Sequence, residues 1–387
     1  MNGFLRRYDD YEGVTMTIYD RLAISTIRLI AATALAASFA AGTSAQEKVL
    51  NVFNWNDYVA PDTLSKFTAE TGIKINYDVY DGNEILEAKL LAGKSGYDLV
   101  FPSASPFFAK QVQAGIYRKL DMAKLTNAGK VSKEVLAEIA KYDAGNGHGL
   151  PYLMAATGIG YNITKIKALM PDAPIGDLAM ILDPRVLSKI KGCGVTILDS
   201  SDEVFSAALA FSGKNPTSQS EDDLKLAADV VMKARPSYKY IHSSAYINDL
   251  ANANTCVAMG YAGDLVQARD RAKEAGRGVE IGIFLPKEGS AFNLDVMAIP
   301  ADAPNVANAH AFINFILKPE IIGAITNEVG YANAVTAADK FVETDIKSDP
   351  VVYPSAEAQA KLYTLPPADQ AYERARTRAW TRVKTRY

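Results

Sequence analysis

The sequence predicts an α/β protein made of two doubly wound domains, and three observations lead to this fold class. Its 387 residues are enough to bury two hydrophobic cores. Between residues 49 and 101, strand-like and helix-like segments alternate, which is typical of parallel sheets covered by helices. Residues 145–152 then bring together glycines and a proline, which indicates a crossing between domains, and a second alternating region follows to about residue 275.

The first elements are predicted from apolar spacing and from helix-end signals. Apolar and branched residues over 49–53 suit a buried strand, and Pro61 with Asp62 suits the start of a helix over 63–71. Alternation over residues 73–80 indicates the next strand. The same reasoning gives a helix over 83–91, with Ile85, Leu86, Leu90 and Leu91 on its apolar side, and a strand over 98–101.

The second alternating region and the segments after it show the same apolar spacings, which are typical of helices and strands. Predicted strands cover 154–161, 195–198, 257–259, 279–284 and 292–299, and predicted helices cover 201–211, 222–234, 262–273, 305–317 and 321–329. We place the strands 279–284 and 292–299 back in the first domain. The basic C-terminal tail is interpreted as a solvated helix face with Trp380 turned inward.

The N-terminal residues are typical of an export signal. Basic residues precede an apolar run over 29–41 that is too short to span a bilayer comfortably. Small residues follow and end in a cleavage site after Ala45, while residues 1–15 form an upstream extension before Met16. We therefore predict a signal peptide over 1–45, and an uncleaved membrane anchor is the alternative.

Two cysteines, Cys193 and Cys256, lie in the exported part, and each borders a predicted buried strand. Because exported proteins keep disulfides, a bridge is favoured over two buried thiols. Closing a loop of this size would stabilise the fold by about 4 kcal/mol in the chain-entropy model.

Aromatic and acidic residues follow the first strand directly. Trp55, Asn56, Asp57 and Tyr58 come at its carboxyl end, which is where open α/β sheets bind ligands. Aromatic faces beside a carboxylate make a receptor for an organic cation. Taken by themselves, these residues also fit another interpretation, in which the two rings belong to the core and Asp57 caps the next helix.

Acidic, aromatic and hydroxyl side chains recur near the ends of other predicted elements, and an amide and an acid interrupt the predicted strand 292–299. They are Ser103, Ser105, Glu203, Tyr261, Asp264, Asn293, Asp295 and Tyr331. Converging carboxylates are costly to bury unless a cation neutralises them, and the rings would sandwich an aliphatic chain. We therefore predict a slot for a flexible α,ω-diamine. Helix capping or turn formation is the alternative for most of these residues, but Asp295 interrupts an apolar strand and needs a partner.

Composition and the remaining motifs exclude other classes. The net charge of −3 is too small to indicate a nucleic-acid partner. Around His148, His242 and His310 we find neither a nucleophile with a base nor a metal-ligand spacing, so we expect no catalytic residue, no metal and no cofactor. The alternatives left open are an exported hydrolase with paired carboxylates and a binding protein for an amino acid, a sugar or a metal ion.

Several segments of the mature chain resemble the periplasmic polyamine-binding proteins of ABC importers, and most of all the putrescine-binding members. The segments that carry the resemblance are NWNDYVAPD (54–62), PSAS (102–105), TGIGYN (157–162), HSSAYINDLAN (242–252) and RTRAW (376–380). Because the likeness runs along nearly all of the mature chain, it is far more specific than any one motif.

This resemblance implies a two-lobed periplasmic binding protein fold of type II, with a hinge and with the ligand in the cleft between the lobes. Lobe 1 would contain residues 46–150 and 276–345, and lobe 2 residues 151–275 and 346–387. The ligand-binding residues would be Trp55, Asn56, Asp57, Tyr58, Ser103, Glu203, Tyr261, Asp264, Asn293, Asp295 and Tyr331. It also implies a Cys193–Cys256 disulfide and a periplasmic monomer that delivers its ligand to the permease subunits of an ABC transporter.

The chain departs from the family's pattern at three positions. Tyr261 stands where relatives usually have Trp, Asn293 where they have a second aromatic wall, and Asn56 where they have Ser or Thr. Losing a ring at position 293 weakens the apolar sandwich, but the amide is able to bond a guanidinium or a mid-chain amine. We therefore expect putrescine first, with agmatine, cadaverine and spermidine as alternatives, and with sensing as an alternative to uptake.

Overall fold

The computed structural model describes residues 48–385. The predicted signal peptide over 1–45, with its extension over 1–15, lies outside these residues and stays a prediction. Within residues 48–385, no helix combines the length and the apolar character needed to cross a bilayer.

The described residues form eleven strands. They are Val49–Trp55 (β1), Lys74–Tyr80 (β2), Leu99–Val100 (β3), Gly149–Asn162 (β4), Val195–Ile197 (β5), Tyr238–Ile241 (β6), Val257–Tyr261 (β7), Ile281–Phe284 (β8), Ser290–Ala298 (β9), Ala332–Asn333 (β10) and Leu362–Tyr363 (β11).

Helices alternate with these strands along the chain. They are Thr63–Thr71 (α1), Asn83–Leu91 (α2), Ala109–Gln113 (α3), Lys133–Ala140 (α4), Ile163–Leu169 (α5), Ala179–Leu182 (α6), Pro184–Ile190 (α7), Ser201–Phe211 (α8), Glu221–Ala234 (α9), Tyr246–Ala251 (α10), Ala262–Glu274 (α11), Val306–Ile316 (α12), Pro319–Val329 (α13), Thr344–Ser348 (α14), Ala356–Gln359 (α15) and Gln370–Thr385 (α16). The bounds of α1, α2 and α8 agree with the predicted ones. On α2, however, only Leu86 and Leu90 are buried, while Ile85 and Leu91 are exposed.

The strands form a mixed sheet in the order β2-β1-β3-β9-β4-β7-β5-β6. β1 pairs in parallel with β2 and β3, and β5 pairs in parallel with β6 and β7. The antiparallel strands β9 and β4 join these two parallel groups. Because β4 pairs with β9 over residues 149–156 and with β7 over 157–161, one continuous strand runs from one half to the other. This is the α/β architecture with two parallel groups that the sequence predicts.

Each half has its own hydrophobic core. Leu50, Phe67 and Phe312 belong to the core around β1 and α12, whereas Val257 belongs to the core around β5 and β7. Trp380 of the C-terminal helix is buried in the second core, with its ring 5.5 Å from that of Phe205, as the prediction of an inward-facing Trp380 requires. The exact residues at which one lobe ends and the other begins stay a prediction.

One of two expectations about the middle of the chain differs from the structure. The glycine-rich segment, predicted as a crossing between domains, leads into β4, which begins at Gly149, where an added Cβ would lie 2.7 Å from the ring of Phe108. This glycine therefore permits a close approach rather than a turn. The strand β8 was expected in the first domain, but it pairs with residues 159–162 and its Ile281 packs in the second core.

Cys193 and Cys256 form a disulfide, with their Cα atoms 5.6 Å apart. Cys193 lies just before β5 and Cys256 just before β7, and these two strands are hydrogen-bonded neighbours with Val195 opposite Val257. The disulfide thus links the N-terminal ends of two parallel strands in the second core, and it confirms the predicted pairing.

The Cys193→Ser/Cys256→Ser double variant should lose about 4 kcal/mol of unfolding free energy, because its unfolded chain regains the freedom of the closed loop. Denaturant titration of the oxidised protein and of the variant, followed by circular dichroism, measures this difference. A reducing agent should destabilise the parent protein and leave the variant unchanged. Equal stability of both proteins would contradict the prediction.

Candidate functional site

A cavity lies between the two halves, where the carboxyl end of β1, the middle of β9 and the first turns of α8 and α11 meet. It contains about 780 Å³ of space free of protein atoms, part of it open to solvent. Its acidic lining residues are Asp81, Glu84, Asp199, Asp202, Glu203, Asp264 and Asp295. The described part of the lining contains no lysine, arginine or histidine, so the cavity attracts cations.

Ten of the eleven sequence-predicted site residues line this cavity. They are Trp55, Asn56, Tyr58, Ser103, Glu203, Tyr261, Asp264, Asn293, Asp295 and Tyr331. Although these residues come from distant parts of the chain, all of them line the same cavity. Whether each of them contacts a ligand stays a prediction.

Asp57 is the exception, because it is not among the residues that line the cavity, and its contact with a ligand stays a prediction. Its backbone adopts a φ of 52°, in the left-handed region, and its side chain is not part of the cavity wall formed by Asn56 and Tyr58. The carboxylate of Asp57 lies 3.3 Å from Nη2 of Arg271 on α11 and accepts a hydrogen bond of 2.8 Å from Asn56 Nδ2. Gln267 Nε2 also donates to the carbonyl oxygen of Asp57 at 3.3 Å. Asp57 therefore links the two halves of the molecule outside the cavity.

Asp295 lies in the middle of β9 and is only 7% exposed. Tyr58 donates its hydroxyl hydrogen to Oδ2 at 2.8 Å, and Ser103 donates to Oδ1 at 2.6 Å. Burial raises the pKa of Asp295 to about 6, and these two hydrogen bonds oppose the rise because they favour the ionised form. The sequence predicts that this buried carboxylate needs a partner, and the structure provides two hydroxyl groups as hydrogen-bond donors.

Asp264 lies in the first turn of α11, and its carboxylate is held by hydroxyl groups from two elements. Tyr246 donates to Oδ2 and Tyr331 to Oδ1, each at 2.7 Å. Burial raises the pKa of Asp264 to about 6, against the effect of both hydrogen bonds. Tyr331 comes from the first core and reaches α11 over Gly263, where a Cβ would overlap its ring. The glycine before Asp264 thus permits this contact.

Glu203 lies in the first turn of α8 and is 4% exposed. Asn293 Nδ2 donates to Oε1 at 2.6 Å, and the Thr157 hydroxyl donates to Oε2. Burial, followed by the nearby Asp202 carboxylate, raises the pKa of Glu203 to about 7. The two donors come from β9 and β4, the strands that join the halves. Glu203 is therefore positioned by the region between the lobes.

Aromatic rings form the apolar part of the walls. The Trp55 ring lies 4.7 Å from the ring of Tyr80 and 6.4 Å from that of Tyr261, and its Nε1 donates to the Phe101 carbonyl oxygen at 2.8 Å. Burial, followed by the nearby Glu203 carboxylate, raises the pKa of Tyr261. On the other side, the Tyr58 ring packs edge to face on Tyr331 at 4.8 Å. Such rings offer both apolar contact and cation–π attraction.

Several residues of this site were not among those predicted from the sequence. Thr157 and Tyr246 were not recognised as donors, since nothing in the local sequence marks a residue that hydrogen-bonds to a distant acid. Asn83 was also missed, although it holds Ser103 through hydrogen bonds of 3.1 Å in both directions. Asp81 and Asp202 could have been found, because Asp81 directly follows the predicted strand 73–80 and Asp202 directly precedes Glu203 in the first turn of α8.

Comparison with known proteins identifies a family. The bacterial extracellular solute-binding protein family matches residues 62–354. The putrescine-binding periplasmic protein SpuD of Pseudomonas aeruginosa is 49% identical over 343 residues, which cover 88% of this chain and 93% of that protein. The putrescine-binding periplasmic protein PotF of Escherichia coli is 47% identical over 344 residues, with the same two coverages.

Solved structures with the same fold include a protein of a putative spermidine/putrescine ABC transporter from Listeria monocytogenes. It superposes on this chain with a TM-score of 0.77 at 27% sequence identity. The match covers 88% of this chain and 100% of that one. The two halves described above therefore correspond to the lobes of a known two-lobed fold.

Proposed function

This chain belongs to the bacterial extracellular solute-binding proteins, and we propose that its cleft captures an aliphatic polyamine, with putrescine as the first candidate. The observation that carries this proposal is the convergence of Glu203, Asp264 and Asp295 on one cavity whose described lining has seven carboxylates and no basic side chain. Buried carboxylates need a counter-charge, and a diamine supplies one at each end. The relatives whose names specify putrescine support the same ligand.

The apolar walls suit the middle of such a ligand. Each methylene group removed from water contributes about 0.8 kcal/mol, and each cation–π contact roughly 0.5–2 kcal/mol. Trp55 and Tyr261 form one aromatic pair at the cavity, and Tyr58 and Tyr331 form another. Charged ends and an apolar centre are the pattern of an α,ω-diamine, whereas an amino acid would require a basic residue for its carboxylate.

The proposed cycle begins with an open protein whose acids are hydrated. A polyamine enters and neutralises them, and the lobes close because the closed state is favourable only with the cation present. The closed protein then delivers its ligand, as a periplasmic monomer, to the permease subunits of an ABC transporter. In keeping with its family of solute-binding proteins, the chain acts as a binding protein and not as an enzyme. A polyamine sensor would share the same binding step.

A longer polyamine is the second candidate, and the outer acids favour it. Asp81, Glu84, Asp199 and Asp202 line the cavity in addition to the three inner carboxylates. Asp199 already lies 3.2 Å from Lys384 Nζ, and Asp81 lies 3.6 Å from His242 Nδ1. Glu84 and Asp202 are therefore the outer acids that a third amine would meet. Spermidine therefore stands beside agmatine and cadaverine as an alternative to putrescine.

Isothermal titration of the exported chain with putrescine, cadaverine, agmatine and spermidine tests the proposal. We expect binding of one ligand per chain with at least micromolar affinity, about −8 kcal/mol. The uncharged diol with the carbon chain of putrescine is the matched control and should not bind. The absence of binding by all four amines would contradict the proposal.

The Asp295→Asn and Asp57→Asn variants should differ in putrescine affinity, because Asp295 lines the cavity and Asp57 does not. Loss of the buried Asp295 charge should weaken putrescine binding by about 30-fold or more, since it leaves an ammonium group without its partner. Asp57 is partly exposed and paired with Arg271, so its variant should lose about fivefold at most. Titration calorimetry of both variants makes the comparison. Equal losses would contradict the placement of Asp57 outside the cavity.

Affinity should fall as the pH decreases through the range of the raised carboxyl pKa values. Glu203 titrates at about 7, and Asp264 and Asp295 at about 6, so below these values a bound proton must leave before the cation binds. The ligand stays charged throughout, because aliphatic amines titrate near 10. At a pH of about 6, roughly one to two protons should leave per putrescine bound.

Titration in two buffers of different ionisation enthalpy measures this proton release directly. The heat should depend on the buffer near pH 6, and the dependence should disappear about two pH units higher, where the carboxylates are already ionised. A heat independent of buffer at both values would contradict the prediction.

A further inference from the structure

Asn293 holds the Glu203 carboxylate with its amide, and this fixes which way the amide faces. Its Nδ2 lies 2.6 Å from Glu203 Oε1. Because an ionised carboxylate only accepts hydrogen bonds, the NH₂ group and not the carbonyl oxygen faces Glu203 in the ionised form that binds a cation. Asn293 lines the cavity, and no described residue donates a hydrogen bond to its Oδ1 atom, which is therefore left as an acceptor.

The other two inner acids are held by groups of a different kind. Asp295 is held by Tyr58 and Ser103 and Asp264 by Tyr246 and Tyr331, so all four donors are hydroxyls. Two of these hydroxyl oxygens already accept a hydrogen bond, Ser103 from Asn83 at 3.1 Å and Tyr246 from the backbone N–H of Tyr261 at 3.0 Å. Among the three acids, Glu203 is thus the one whose donor carries a free carbonyl oxygen.

The free acceptor changes what the Glu203 end of the cavity can recognise. An ammonium group offers three hydrogens around one compact, strongly hydrated nitrogen. A guanidinium is planar and offers five, so two parallel N–H groups can meet a carboxylate while a third reaches a neighbouring acceptor. It also stacks on aromatic faces, and Tyr261 lines the cavity together with Glu203 and Asn293.

We propose that Glu203 and the Oδ1 atom of Asn293 form a composite acceptor for a guanidinium group, which makes Asn293 a determinant of specificity. The ligand class is a diamine guanylated at one end, such as agmatine, with its guanidinium at Glu203 and its ammonium towards the other inner acids. This inference rests on the proposed polyamine-binding function and deepens it. In this proposal, the Asn293 side chain determines whether the site prefers a ligand with an ammonium or a guanidinium terminus.

Putrescine and agmatine form a matched pair for the test, because they share one alkyl chain and differ at a single terminus. Asn293→Leu removes both the donor to Glu203 and the free Oδ1 acceptor. Thr157→Val is the matched control, since it removes the other donor to Glu203 and leaves Oδ1 in place. Titration calorimetry of each protein with both ligands yields the ratio of their dissociation constants.

Asn293→Leu should shift this ratio roughly three- to tenfold against agmatine, the effect of one lost hydrogen bond, whereas Thr157→Val should weaken both ligands by the same factor. An unchanged ratio in Asn293→Leu would overturn the inference while leaving the proposed function intact. Failure of the parent protein to bind either ligand would instead overturn the proposed function. Should Asn293→Leu fail to fold by circular dichroism, Asn293→Ala, which also has no side-chain acceptor, replaces it.

Discussion

The burial of negative charge is the constraint on which the rest of the structure depends. Glu203, Asp264 and Asp295 are almost fully enclosed, and an unpaired buried carboxylate costs several kcal/mol. Each carboxylate has two donors from neighbouring elements. Because all of these donors are neutral, they orient the acids and favour their ionised form without cancelling their charge. A cation is the partner that completes the site, and this is the physical basis for selective capture.

The fold supplies positions where such charges are tolerated. Glu203 and Asp264 lie in the first turns of α8 and α11, where the positive end of the helix dipole stabilises an anion. Asn293 and Asp295 are two residues apart on β9 and therefore face the same side of the sheet. Since β9 and β4 run between the two halves, the groups that hold Glu203 belong to the region that joins the lobes. Ligand recognition and lobe geometry thus meet in the same two strands.

Much of this arrangement could be predicted from local patterns. Apolar periodicity placed α1, α2 and α8 at their observed bounds. Polar and aromatic residues in and next to the predicted elements, together with the family resemblance, identified ten of the cavity-lining residues. Local patterns did not reveal roles that depend on a neighbour distant in sequence. Gly149 was assigned to a crossing between domains, yet it also makes room for the ring of Phe108, and no local pattern indicated that Arg271 would pair with Asp57.

The sequence by itself determined that this chain is an exported α/β protein rich in acids and rings at its strand ends, because periodicity and residue type act over a few neighbouring positions. Only the tertiary structure decided which acids share a cavity and which group holds each of them. Tyr58 and Asp295, for example, are 237 residues apart along the chain and 2.8 Å apart in space. Such a pair forms only when two cores and the strands between them have packed, and no local pattern encodes the distance that this packing sets.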